Sequence, residues 1–384
     1  MRFLLSLIAL FMLINPVLAD VRFLSISDIH YGTDNTTGDG HDTDSILLSS
    51  ALSKFSLLTK HVDFVITLGD FPTHMLRYSP KKEGYIKSVF HGLYQADQVG
   101  IPMFYITGNN DSLSGNYQPF SWSGKSPLTL ATDWQGACAH CEGLIIDGTH
   151  MYDEGYYSSY VLPGNKDIVL IVLNSIQFVK SPIFAPKYPN QKRDALQQLR
   201  WLEKQLKNNH AKQLMIAMHI PPGSTYHDGE SWQEPYLKQF IDLLNMAYPH
   251  YGQISLLTAH THMDDIRKIH LENGKNIYSY ATPSISRNHH NNPGMKIFDL
   301  NANLQLKDFT TYYTTVDQSW QNEHYSAIKE ANNMFPTCQG KILAQCLDTL
   351  SNESVCKSII DGRFYGVKSP RVDNTACKLT YPVN

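Results

Sequence analysis

The sequence predicts an α/β protein of two packed sheets flanked by helices, and three observations carry that prediction. Apolar runs of strand length recur from residue 21 onward. They alternate with amphipathic stretches of helix length through the first two thirds of the chain, and beyond residue 254 strands follow one another with little helix between them. A chain of 384 residues, 42% hydrophobic and 17% charged, has the composition of a globular protein with a substantial core. Its formal net charge of -3, with no basic run, excludes a groove for duplex nucleic acid.

Residues 1–19 read as a signal peptide. Arg2 is followed by an apolar stretch to Ile14, and Val17 and Ala19 suit cleavage before Asp20. The stretch is short for a bilayer, so stable membrane insertion is not expected and the mature chain reads as secreted or periplasmic. A buried first strand or an uncleaved anchor is the competing reading. All six cysteines follow this segment, and an even count in an exported chain implies disulfides. Cys138 and Cys141 form a C-x-x-C expected to close on itself. Cys338, Cys346, Cys356 and Cys377 crowd into the last part, and four cysteines allow three pairings. Structural zinc competes, but the two-residue spacing occurs once.

The elements follow in order. Residues 21–26 form a buried strand. A helix capped by Thr43 or Asp44 runs to about Lys60, with Ile46, Leu47, Phe55, Leu57 and Leu58 apolar. Residues 62–68 are a strand, 82–99 a helix and 103–107 a strand. Residues 113–155 read as a long polar and aromatic loop, a length that usually marks function or bracing. A hairpin joins 156–162 to 168–174 through Pro163-Gly164-Asn165. A helix at 194–208 carries Leu196, Leu199, Leu202 and Leu206 as a core stripe. Strand 214–218, helix 234–247 and strand 254–258 come next, then strands at 266–271, 277–280, 295–300 and 304–312. From residue 319 short polar helices with the clustered cysteines follow, read as structural or site-flanking.

Five of the strand-like runs end in metal-ligand residue types: Asp28-Ile29-His30, Gly69-Asp70, Gly108-Asn109-Asn110-Asp111, Met218-His219 and His260-Thr261-His262. In an extended chain residues i and i+2 face the same way, so Asp28 with His30, and His260 with His262, are each expected to close on one cation. Any one of these short patterns arises by chance; the ordered set is specific.

That order resembles the calcineurin-like metallophosphoesterases. Gly69-Asp70-Phe71-Pro72-Thr73-His74, His219-Ile220-Pro221-Pro222-Gly223, His260-Thr261-His262-Met263-Asp264 and Asn292-Pro293-Gly294 narrow the resemblance to the acid sphingomyelinase and sphingomyelinase-like phosphodiesterase branch, over about residues 21–316. The resemblance implies a four-layer α/β/β/α sandwich over residues 20–318, with a small helical, cysteine-containing region at 319–384. It implies two divalent cations, with Asp28, His30 and His262 on one, Asn109, His219 and His260 on the other, and Asp70 bridging. Carboxylate and imidazole donors suit zinc, with manganese or iron as alternatives. Such a pair activates a hydroxide for in-line attack on a small phosphate ester. Phe71-Pro72-Thr73-His74 lacks the tyrosine of a purple acid phosphatase iron site.

One position departs from the family. Where a histidine usually donates a proton to the leaving group, this chain has Asn110, and an amide is no general acid near neutral pH. His74, four residues after Asp70, matches a branch histidine near the leaving group and is the expected acid. Without the usual acid, and without the lipid-presenting domain that precedes catalysis in acid sphingomyelinase, a soluble nucleotide-like phosphodiester or phosphoanhydride is the expected substrate. Sphingomyelin, a phosphomonoester and an idle metal-binding role are the alternatives. His289 and His290 are candidate phosphate contacts, or plain surface. Trp122, Trp134, Tyr226 and Trp232 are candidates for stacking a base, or packing residues. A monomer is expected.

Overall fold

The computed structural model describes residues 20–33, 39–74, 80–183, 185–225, 229–315, 320, 323–360, 377 and 381–383. The signal-peptide reading of 1–19, Tyr226 and the boundary at 318/319 lie outside them. The chain begins with β1 (Arg22–Ile26), α1 (Ser45–Thr59), β2 (Phe64–Thr67), α2 (Pro80–Ala96) and β3 (Met103–Tyr105). Asp44 caps α1, its carboxylate accepting the Leu47 N–H at 2.8 Å. The buried face of α1 is Leu47, Leu48, Ala51, Phe55 and Leu58; Ile46 and Leu57, expected on that face, fall off its 3.6-residue period and are exposed. α2 stops at Ala96, earlier than its sequence suggests, because the Asp97 carboxylate collects the N–H groups of Val99, Gly100 and Ile101.

The stretch read as one long loop contains two short strands, β4 (Cys138–Ala139) and β5 (Ile145–Asp147). The hairpin of β6 (Tyr157–Leu162) and β7 (Asn165–Val172) closes over Pro163-Gly164, with Gly164 at φ +75°. Then come α3 (Gln191–Asn208), β8 (Gln213–Ala217), the ribbon β9 (Ser224–Thr225) and β10 (Gly229–Glu230), α4 (Glu234–Ala247) and β11 (Gln253–Thr258). Strands β12 (Ile266–His270), β13 (Asn276–Ala281), β14 (Gly294–Leu300), β15 (Leu306–Tyr313) and β16 (His324–Ser326) precede α5 (Leu343–Thr349), α6 (Asn352–Ile360) and β17 (Pro382–Val383).

Two mixed sheets result, one in the order β16-β15-β14-β1-β2-β3-β4 and the other β17-β12-β13-β11-β8-β7-β6-β5. β1, β2 and β3 run parallel, as do β7, β8, β11 and β13. The late strands divide: β12 and β13 extend the second sheet, whereas β14 returns to pair antiparallel with β1. Alternation along the second sheet shows the layering. Ile168, Leu170, Val172, Met215 and Ala217 join the core shared with the first sheet, while Val169, Ile171, Leu214 and Ile216 pack with α3 and α4. This is the four-layer α/β/β/α sandwich.

The cysteines pair as Cys138–Cys141, Cys338–Cys346 and Cys356–Cys377. α5 docks on the second sheet through Asp348, which accepts from Tyr278 Oη and Asn276 Nδ2, both at 2.7 Å. Elements beyond residue 319 also join the sheets, β16 beside β15 and β17 beside β12. Among the described residues no helix is long and apolar enough to cross a membrane.

Candidate metal centre

Asp28 and His30 follow β1, Asp70 follows β2, Asn109 follows β3, His219 follows β8, and His260 and His262 follow β11. The first three strands belong to one sheet and the last two to the other, so the ligands meet where the C-terminal edges of both sheets adjoin. The paired residues do not converge through extended backbone, as their i, i+2 spacing predicts. Asp28 and His30 both have φ +46°, Asp70 +55°, His260 +70° and His262 +63°, so these residues sit in left-handed kinks rather than extended backbone. Such kinks cost roughly 1–2 kcal/mol each away from glycine and cluster at functional sites.

The two glycines explain how the loops after β2 and β3 approach. A Cβ on Gly69 would stand 2.3 Å from Gly108 N, and one on Gly108 would stand 2.1 Å from Asp70 Oδ1. Asp111 ties the loops together: its buried carboxylate accepts from Gly108 N at 2.7 Å, Phe71 N at 2.8 Å, Tyr105 Oη at 2.9 Å and Asp70 N at 3.0 Å. Burial and the nearby Asp70 charge push the Asp111 pKa up.

Asp28 Oδ1 lies 3.7 Å from His30 Nε2, 3.7 Å from His219 Nε2 and 3.6 Å from His262 Nε2. Asp70 Oδ2 lies 3.5 Å from His30 Nε2 and 3.3 Å from His219 Nε2, between the two ligand groups as a bridge requires. Ligand atoms about 2.0–2.2 Å from one tetrahedral zinc stand roughly 3.3–3.6 Å apart, so the spacing fits shared cations. The buried atoms Asp28 Oδ1, His30 Nε2, Asn109 Oδ1 and His219 Nε2 have no hydrogen-bond partner, which a bound cation would explain. Their other sides are held. His30 Nδ1 faces Pro72 O at 3.1 Å and His219 Nδ1 faces Leu68 O at 2.6 Å, fixing Nε2 toward the centre. Asp70, His219 and His260 form one ligand-distance cluster, Asp28, His30 and Asp70 another, and His30, His74 and His262 a third.

The field is that of a cation site. Burial disfavours the imidazolium of His30, yet Asp28, Asp70 and Asp42 raise its pKa to about 9. His219 meets the same opposition from burial, and Asp70 and Asp28 raise it to about 9. Burial pushes the Asp70 carboxyl up, but His219, His30 and the Asn110 N–H hold it well below the usual carboxylate range. Burial and the charges of His289, His30, His74 and His260 push His262 well down.

Around these ligands the sequence-expected residues take different places. His74 stacks on His30 with centroids 3.7 Å apart, and its Nδ1 pairs with Asp42 Oδ1 at 2.8 Å, which leaves Nε2 for the site. Asp42 also accepts from Ser286 Oγ at 2.9 Å and Thr73 Oγ1 at 2.5 Å. Asn110 turns inward, both its backbone N–H and its side-chain amide donating to Asp70, at 2.7 and 2.8 Å. The His289-His290 pair splits. His289 stands edge-on to His262 at 4.4 Å, while His290 faces Asp39 at 3.3 Å on the rim and is over half exposed. Trp134 and Trp232 are core, packed on Phe90 and Phe178; Trp122 is exposed.

Sequence reading missed Asp42 and Arg267. Asp42 sits in a Gly- and Asp-rich loop with nothing local to single it out. Fully buried Arg267 bonds to Asp265 Oδ2 at 3.3 Å and to the carbonyls of Pro222, at 3.0 Å, and Ser224, tying the His219 loop to the His260–His262 loop. Asp111 closes the run Gly108-Asn109-Asn110-Asp111, but its bracing role appears only once two loops are juxtaposed.

Aspartate and histidine side chains delivered by strand ends of two packed mixed sheets form clusters that could hold metal ions, the arrangement a metallophosphoesterase-type centre requires. No protein-family model matches the chain. It is 26% identical over 288 residues to Sphingomyelin phosphodiesterase 1 of Caenorhabditis elegans, covering 69% of this chain and 47% of that one. It is 25% identical over 320 residues to Sphingomyelinase phosphodiesterase D of Dictyostelium discoideum, covering 77% and 68%. Among solved structures, that of PhoD superposes with a TM-score of 0.47 at 12% identity, covering 80% of this chain and 68% of that one. The chain is thus similar to sphingomyelin phosphodiesterases, and these similarities support the metallophosphoesterase superfamily and its sphingomyelinase-like branch. It spans about half the length of the nematode relative.

Proposed function

We propose that the protein is an exported two-metal phosphodiesterase, most readily zinc-loaded, acting on soluble phosphodiester or phosphoanhydride substrates of the nucleotide type. The observation that carries the reading is the convergence of Asp28 Oδ1 and Asp70 Oδ2 on the Nε2 atoms of His30 and His219 at 3.3–3.7 Å, with Asp28 Oδ1, His30 Nε2 and His219 Nε2 buried and without a hydrogen-bond partner. When bound, two cations supply Lewis acidity toward the phosphoryl oxygens and activate water at neutral pH. Asp28, His30 and His262 would hold one, Asn109, His219 and His260 the other, with Asp70 between them. Three disulfides favour an oxidising compartment.

The chain's own residues divide the remaining work. Asn110 spends its amide on Asp70 and so orients the bridge rather than donating a proton. His74, its Nδ1 held by Asp42, presents Nε2 as the proton donor to the leaving oxygen. His289, beside His262, is the better placed of the two adjacent histidines to meet the phosphate. With no donor at position 110, substrates whose leaving group needs little protonation are favoured.

A second reading, sphingomyelin hydrolysis, is favoured by the names of the relatives and by the His74–Asp42 pair, a proton source for a poor alkoxide leaving group. The test is turnover of ATP, ADP, CDP-choline, mono- and bis-aryl phosphates and sphingomyelin in detergent, with zinc and with chelator, read as phosphate from the nucleotides, as the released phenol from the aryl esters, and through a coupled phosphatase for phosphocholine products. Chelator-sensitive nucleotide or bis-aryl turnover without sphingomyelin cleavage supports the first reading. Efficient sphingomyelin cleavage replaces it with the second, and chelator-insensitive turnover removes both.

A further inference from the structure

Two adjacent residues outside the ligand set, Asn116 and Tyr117, touch two ligands assigned to the same cation. Asn116 Oδ1 accepts from Asn109 Nδ2 at 2.8 Å. That contact engages the Nδ2 end of the Asn109 amide and leaves Oδ1, the amide atom able to ligate, buried with no hydrogen-bond partner. The Tyr117 hydroxyl lies 3.4 Å from His260 Nε2. With the ring proton on Nε2, donated to the tyrosine oxygen, Nδ1 is the nitrogen that would ligate a cation.

The backbone closes the unit. Tyr117 N donates to Asn109 O at 2.9 Å, and Tyr117 itself has φ +58°, a conformation that a bulky side chain rarely adopts. The kink lets consecutive side chains serve ligands from different sheets, Asn109 after β3 and His260 after β11. The clip is pinned beyond this point, where Gln118 Nε2 donates to Pro186 O at 2.8 Å.

We propose that Asn116 and Tyr117 are positioning residues for the cation held by Asn109, His219 and His260, fixing the amide orientation of the first and the tautomer of the last. The proposal rests on the two-metal reading and sharpens it, because the two cations then differ in what secures them. Outer contacts of this kind are commonly worth about 10–100-fold in metal affinity.

The experiment is titration of the metal-free full chain with Co²⁺, followed by the visible absorption of the bound ion and by stoichiometry, for the wild type and for N116A, N116D and Y117F. Circular dichroism checks the fold of each. N116D keeps an oxygen acceptor for Asn109 Nδ2, so it should retain two ions within about threefold of the wild-type affinities, whereas N116A should weaken one ion about 10–100-fold and leave the other unchanged. Y117F should weaken the same ion and change its absorption band. If N116A binds both ions like the wild type, or weakens both equally, the proposal is overturned; should N116A fail to fold, an unchanged Y117F titration overturns it instead. A wild-type chain that binds fewer than two ions sinks the two-metal reading itself, a result separate from any variant.

Discussion

The side-chain amide of Asn110 donates to Asp70 Oδ2 at 2.8 Å, and its backbone N–H donates to Asp70 Oδ1 at 2.7 Å. Both oxygens of the bridging carboxylate are thus aimed by one residue, the same residue that stands where the family usually keeps a proton donor. On the proposed two-metal reading, the departure exchanges acid catalysis at that position for orientation of the bridge.

Replacing Asn110 with His should therefore act selectively. The expected result is a gain of about 10²-fold or more for esters with poor leaving groups and little change for aryl esters, read as the slope of log kcat against leaving-group pKa. Equal rates for N110H and the wild type across the series would remove the acid argument.

Alanine at Asp70 should cost more than alanine at a terminal ligand such as His262. An anionic bridge offsets the repulsion of two cations, so D70A is expected to lose both and H262A only one. Metal analysis after gel filtration reads this directly, and unchanged metal content in D70A would contradict the bridge.

Gly108→Ala places a Cβ 2.1 Å from Asp70 Oδ1 and 2.4 Å from Asp70 N. Neither neighbour can yield, because Asp111 and Asn110 pin that loop. A loss of about 1–3 kcal/mol is expected in chemical denaturation, together with weaker metal binding. Gly84→Ala, where a Cβ meets nothing within 4 Å, is the control.

Metal affinity should rise with pH. His30 and His219 are each raised to about 9 in the metal-free chain, so both carry protons at neutral pH and must lose them to bind a cation. Affinity is then lost as pH falls, with log Kd changing by roughly two per pH unit below about pH 8 for binding that engages both histidines. His262 is already neutral and contributes no proton. Potentiometric counting of protons released on zinc addition checks the number; release of none at pH 7 would refute it.

Changing Asp42 to Asn should affect the chemistry without emptying the centre. Asp42 touches no assigned ligand by hydrogen bond but holds His74 Nδ1 at 2.8 Å. D42N is expected to bind two metals normally and to slow poor leaving groups about 10–100-fold while leaving aryl esters little changed, because an amide does not hold the ring as a carboxylate does. Equal rates for D42N and the wild type on poor leaving groups would show that His74 is not the donor.

Much of the centre is legible in sequence because its signals are local. An apolar run followed by Gly-Asp or His-x-His is both a strand and its end, and strand ends of an α/β fold are where sites lie. Asp28, His30, Asp70, His219, His260 and His262 lie in overlapping clusters at ligand distance, and the departure at Asn110 is visible at once. The kinks at Asp28, His30, His260 and His262 are not legible, because only tertiary packing holds such residues at positive φ.

By itself the sequence determined the α/β class, the order of ligands and the position of the missing acid, since each depends on residue type and a spacing of a few residues. Tertiary structure alone decided that β14 turns back to β1 while β12 and β13 stay with β11, that Cys338 pairs with Cys346 and Cys356 with Cys377, and that Asp42, Asn116 and Arg267 stand behind the ligands. Many of those decisions are contacts between residues far apart in the chain, such as His219 Nδ1 with Leu68 O at 2.6 Å across the two sheets. Their geometry follows from which strands pair and how the layers pack, and no pattern within a short window of sequence encodes it.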